Sequence, residues 1–154
     1  MIQKLKYKLP GFIKIFSCKR SAVVTGFLFI SFLAMLSFGK QEEFDLKASI
    51  ERGKNVYIVY CLSCHMENGE GIEGLYPPVA NSDYMIADSV RAVQQIIYGV
   101  TGEIMVNGKK YNTKMEKIDL NDEQVSDVMN YMRNSWGGKA RPIKPEDVKA
   151  MRKK

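Results

Sequence analysis

The sequence predicts an all-α fold, a few helices gathered around one ligand-holding site, with a small β-hairpin among them. Three observations carry that reading. Apolar residues recur at helical spacing in three separate stretches. Only one short stretch, "EIMVNGKKY", alternates with a period of two around a tight-turn pair. The reactive groups are concentrated in "CLSCH", where Cys61, Cys64 and His65 stand together; the chain has no other histidine, and its third cysteine, Cys18, lies far upstream.

A chain of 154 residues has room for one ordinary domain and an appendage. The appendage is the front end. Residues 1–39 contain Lys4, Lys6, Lys8, Lys14, Lys19 and Arg20 with no acid, then the uncharged run "AVVTGFLFISFLAMLSF" from Ala22 to Phe38. At about 17 residues the run is slightly long for the apolar centre of a signal peptide and at the short limit of a membrane span. Ser37 and Gly39 add the small residues of a cleavage site before Lys40. Signal peptide and N-terminal membrane anchor both stand, and both place the remainder of the chain outside the cytoplasm, because the basic leader stays inside.

The formal charge of +6 belongs to this leader. Without its six basic residues, 17 Lys and Arg face 17 Asp and Glu from Lys40 onward. The exported part therefore lacks the basic footprint of a nucleic-acid binder.

Residues 40–47, "KQEEFDLK", read as a charged linker of at most roughly 28 Å, and residues 48–138 as the domain. Ile50, Gly53, Tyr57, Val56 and Val59 predict a helix from Ala48 to Tyr60 leading into the cysteines. From Glu67 to Asn81, Gly69, Gly71, Gly74, Pro77 and Pro78 predict a loop. A second helix runs from Ser89 to Tyr98, capped by Asp88 or Ser89 and stopped by Gly99. Ile104 and Val106 precede Asn107-Gly108, the signature of a hairpin.

The last long helix begins at Asn121, with Asp122 and Glu123 in its first turn and Gln124 at capping-box spacing. Val125, Val128, Met129 and Met132 make its apolar stripe, and Gly137-Gly138 ends it. Residues 139–154 form a basic tail with a short helix expected from Pro145.

In a helical turn Cys61, Cys64 and His65 share one face, at offsets i, i+3 and i+4. Two thioether bonds from the cysteines to one haem would bring its iron beneath His65, the haem-attachment reading of Cys-x-x-Cys-His. A structural zinc site needs a fourth ligand. A redox dithiol prefers a strand before the motif, and a disulfide leaves the histidine unexplained. For a sixth iron ligand the chain offers Met85, Met105 and Met115, since Met129 and Met132 belong to a helix stripe. Met115, in the irregular link "YNTKMEKIDL", is the favoured residue, with Met85 and Met105 as alternatives and gap-filling as the non-ligand role.

From Ser49 to Gly138 the chain resembles the class I c-type cytochromes. The resemblance rests on "CLSCH", "GEGIEGLYPPVA", "VNGKKYNTKM" and "LNDEQVSDVMNYMRNSWGG", in that order. Gly53 and Tyr57 match first-helix positions that in this family cross the last helix near an aromatic residue, here Tyr131. The resemblance implies one covalent haem c and a loop-proline carbonyl, assigned to Pro77 with Pro78 as the next candidate, accepting the Nδ1 proton of His65. The chain departs from the family at Glu116, where relatives often carry proline. That departure predicts a less rigid ligand loop.

Histidine-methionine ligation leaves no open iron position and raises the reduction potential, which describes a single-electron carrier. The expected partners are redox proteins such as a membrane oxidase, reductase or dehydrogenase, on the periplasmic side of the cytoplasmic membrane. The competing class is a haem enzyme or sensor whose methionine is displaced. The chain has no second histidine to assist peroxide cleavage.

Overall fold

A computed structural model describes residues 43–152. The basic leader, its apolar run, Cys18 and the cleavage expected at Gly39 lie outside the described residues. Within them, the chain forms six helices and one two-stranded antiparallel sheet.

Helix α1 spans Leu46–Tyr60. It starts two residues before the predicted Ala48, because the Asp45 carboxylate accepts from the Ala48 N–H at 3.0 Å and caps the first turn. Its buried face is Ser49, Gly53 and Tyr57, one residue per turn, while Val59 is 70% exposed. The expected stripe was thus rotated: the partner helix, and not hydrophobicity, selects the face.

That partner is α5, Asp122–Asn134. The two cross where Gly53 meets the Asp127 backbone. Above the crossing, Tyr57, Tyr131 and Trp136 pack in a triangle with centroids 5.4 to 5.6 Å apart. Below it, buried Asp127 accepts from Ser49 Oγ at 2.6 Å and from Arg52 Nε and Nη2 at 2.7 and 2.8 Å. A buried carboxylate is tolerated only when it is paired and hydrogen-bonded in this way.

The capping box predicted at α5 is present, with Asn121 and Gln124 bonding each other's backbone N–H. The helix ends at Asn134, before the two glycines, since Ser135 is already extended and Trp136 takes a positive φ of 50°.

Between these helices the chain builds the rest of the site. Leu62–His65 forms the single turn α2, and residues after Met66 run as a loop closed by an Ile72–Tyr76 bridge. Helix α3, Asp83–Ala87, was not predicted; Ser82 caps it through the Met85 N–H at 3.3 Å. Helix α4 occupies Ser89–Tyr98 as expected, with Asp88 as its cap. Strands β1, Ile104–Val106, and β2, Lys109–Tyr111, pair Ile104 with Tyr111 and Val106 with Lys109. Asn107 and Gly108 both take positive φ, the requirement of the tight hairpin turn.

Helix α6, Pro145–Met151, begins at the expected proline. Residues 139–152 are not a free tail, for Ile143 and Val148 belong to the core. Asn130 holds the Ile143 backbone from both sides, its Nδ2 donating to the carbonyl and its Oδ1 accepting the N–H, each at 2.8 Å.

Candidate haem site

The site begins where α1 ends. Cys64 and His65 donate their backbone N–H groups to the Cys61 carbonyl at 3.1 and 2.9 Å, so the motif is a helical turn. Cys61, Cys64 and His65 all line one cavity of about 330 Å³. The two thiols are unpaired in the described residues, so no disulfide occupies them. Burial pushes the Cys61 thiol up to about 12, with the neighbouring Cys64 adding to the shift.

His65 is oriented by the loop after it. Its Nδ1 lies 2.9 Å from the Pro77 carbonyl oxygen. A carbonyl only accepts, so Nδ1 carries the proton and Nε2 keeps its lone pair. Burial holds the imidazole below its ordinary value, outweighing the opposing effect of the Pro77 bond, and so favours the neutral form that a metal requires.

Of the methionine alternatives, one is set aside. Met105 is 49% exposed on β1 and does not line the cavity. Met85 and Met115 both do, and so do Met129 and Met132 from the buried stripe of α5. The Met115 segment is not loose. Its N–H and carbonyl both bond Val100, at 3.0 and 2.9 Å. Backbone pairing supplies the restraint that the missing proline led the sequence reading to doubt.

Sequence reasoning passed over much of the wall. Val106 and Tyr111 face the cavity from the hairpin, and Ile96 and Ile118 from α4 and the link before α5. The two-residue alternation of the hairpin is the signal that could have placed Val106 inward. Nothing local marked Ile118.

The donor set, two thiols, one oriented imidazole and a thioether on a mainly apolar cavity, fits a covalently attached haem. The chain matches the family described as "Cytochrome c" over residues 50–136. It belongs to the cytochrome c family. This cytochrome is similar to cytochrome c-552 of Thermus thermophilus, with 35% identity over 112 residues, 66% of this chain and 85% of the relative. It is also similar to the cytochrome c subunit of a quinone alcohol dehydrogenase of Gluconobacter oxydans, 30% identical over 105 residues, 65% of this chain and 22% of that subunit. The cytochrome c subunit of gluconate 2-dehydrogenase from Pantoea cypripedii is 31% identical over 108 residues, 67% of this chain and 24% of that subunit.

This cytochrome is accordingly of class I, carries covalent haem c with its iron, and serves electron transfer.

Proposed function

We propose that this cytochrome carries single electrons between respiratory redox proteins, with Cys61 and Cys64 as thioether anchors and His65 and Met115 as iron ligands. One observation carries the reading: both cysteines, the histidine and Met115 line the same cavity. Bound haem c supplies a one-electron ferric-ferrous couple.

The chain's own residues prepare that site. Pro77 orients the imidazole and fixes its tautomer. The Val100 pairing holds Met115 at the wall, and Val106, Tyr111 and Met129, all buried, keep water from it. A low-dielectric wall limits the solvent reorganisation that accompanies each change of charge. A methionine ligand raises the potential and closes the position an enzyme would need.

The placement we propose is the periplasmic side of the cytoplasmic membrane, anchored by Ala22–Phe38 or released by cleavage near Gly39. The basic leader and the apolar run support it. Among the described residues no helix is long and apolar enough to cross a membrane. The proposed partners are a membrane oxidase, reductase or dehydrogenase. The dehydrogenase subunits among the relatives favour the last of these.

The ligand assignment is tested by the far-red sulfur-to-iron band of the ferric holoprotein. It should disappear in Met115→Ala and persist in Met85→Ala and Met105→Ala; persistence in Met115→Ala would transfer the role to another residue. Intact mass should show one haem lost only when Cys61 and Cys64 are replaced. N-terminal sequencing of native holoprotein decides between a start at Lys40 and an intact anchor, and haem-loaded protein in the cytoplasm would defeat both.

A further inference from the structure

The segment that carries Met115 is fastened to the end of α4. Met115 and Val100 exchange two backbone hydrogen bonds, and three residues on the Ile118 N–H donates to the Ile96 carbonyl at 3.0 Å. Helix α4 is in turn held by buried Ala92, Val93, Ile96 and Ile97. Between helix and bridge stands Gly99.

Gly99 ends α4 with a φ of +79°, while its N–H still donates to the Gln95 carbonyl at 2.8 Å. A Cβ at this position would stand 2.5 Å from the Met115 carbonyl oxygen and 2.9 Å from the Lys117 nitrogen. Both are backbone atoms, so neither can swing aside as a side chain would. Any larger residue must push the Met115 strand away from α4. With Glu116 following Met115 there is no proline ring to fix the chain locally, and the restraint rests on this contact.

We propose that Gly99 is a positioning residue for the sixth iron ligand: its missing side chain lets the Met115 backbone seat against α4 and sets where the thioether enters the cavity. The proposal rests on Met115 being that ligand. A substitution at Gly99 acts on the iron through Met115 and not by touching the haem.

The test uses haem-loaded full-length protein carrying Gly99→Ala. The far-red band should weaken or vanish and the reduction potential should fall, because methionine ligation raises it. Added imidazole should bind about tenfold more tightly, since an opened ligand enlarges the binding-competent population. Gly102→Ala is the control: Gly102 has a φ of +90° but nothing within 4 Å of an added Cβ, so it shares the backbone penalty without the collision.

Unchanged band, potential and imidazole affinity in Gly99→Ala, or equal changes in Gly102→Ala, overturn the inference while leaving Met115 as ligand. Persistence of the band in Met115→Ala overturns the ligand assignment and the inference with it. Should Gly99→Ala yield no holoprotein, amide hydrogen exchange of the native protein decides. Val100 and Met115 exchanging as slowly as α4 supports the clamp, and exchange at the rate of exposed loop amides removes it.

Discussion

The Nδ1 atom of His65 lies 2.9 Å from the carbonyl oxygen of Pro77, twelve residues further along the chain. Gly71 makes this approach possible. Its N–H donates to the His65 carbonyl at 3.0 Å, its φ is +65°, and an added Cβ would stand 2.6 Å from the Pro77 oxygen. Gly71→Ala should therefore push the acceptor off the imidazole. A hydrogen bond at Nδ1 makes the ligand more basic and favours ferric iron, so its loss should raise the reduction potential. Stability should fall by about 1 to 3 kcal/mol from the strained backbone alone. Voltammetry and denaturant titration of the holoprotein read the two effects, and an unchanged potential would show that the bond does not tune the iron.

Without haem, acid should destabilise the folded chain in a window to which His65 contributes. Burial holds His65 below its ordinary 6.5, outweighing the Pro77 bond, and the chain has no other histidine. The unfolded chain takes up the proton first, so the stability contribution is complete above the unfolded value. It is lost as pH falls through 6.5 toward the lower folded value. The urea midpoint of the haem-free Cys61→Ala/Cys64→Ala variant, in which no iron occupies Nε2, should be level from about pH 8 to about pH 7 and decline toward about pH 5.5. A midpoint that rises on acidification across that range contradicts the assignment.

The α1–α5 crossing should be intolerant of any side chain at Gly53. An added Cβ collides with the Asp127 carbonyl and stands 2.9 Å from the Tyr131 Cβ. Gly53→Ala should cost about 3 kcal/mol, the upper end of ordinary overpacking, despite the better helix propensity of alanine. Guanidinium unfolding of the holoprotein measures it; a stabilised variant would mean that the helices separate cheaply.

The C-terminal segment should contribute to global stability. Ile143 is 4% exposed, and its carbonyl accepts from Ser126 Oγ at 2.7 Å as well as from Asn130. Asn130→Ala leaves the Ile143 N–H without its buried acceptor and should cost about 2 kcal/mol. Ile143→Ala should cost about 3 kcal/mol through the cavity it leaves. If neither variant shifts the denaturation midpoint, residues 139–152 are peripheral to the folded unit.

Much of this architecture could be read locally. Asp88, Gly99 and Asn121 with Gln124 each mark a helix boundary through the hydrogen bonds their own side chain or backbone makes, and Pro145 marks one through its fixed φ and missing N–H. The structure places all four as expected. Asn107-Gly108 fixes the hairpin because positive φ is a property of those two residues. Helix α3 escaped notice since five residues give no usable periodicity, and its start depends on a single Ser82 cap. The face of α1 was misjudged at Val59 because its burial depends on which helix lies opposite.

By itself, the sequence determined the attachment motif. Cys61, Cys64 and His65 lie on one face of a turn whose geometry requires only a five-residue stretch, and the family follows from that turn and the helices around it. Only the tertiary structure decided which methionines reach the cavity, because the exposure of Met105, the burial of Met85 and the partial burial of Met115 depend on residues distant in the chain. It also decided that Glu116 does not leave the Met115 strand loose. The restraint is a pair of hydrogen bonds to Val100, fifteen residues away, accepted only because Gly99 has no side chain to block it. Sequence spacing specifies what neighbours along one helix share, whereas contact between two chain segments depends on the space each leaves for the other.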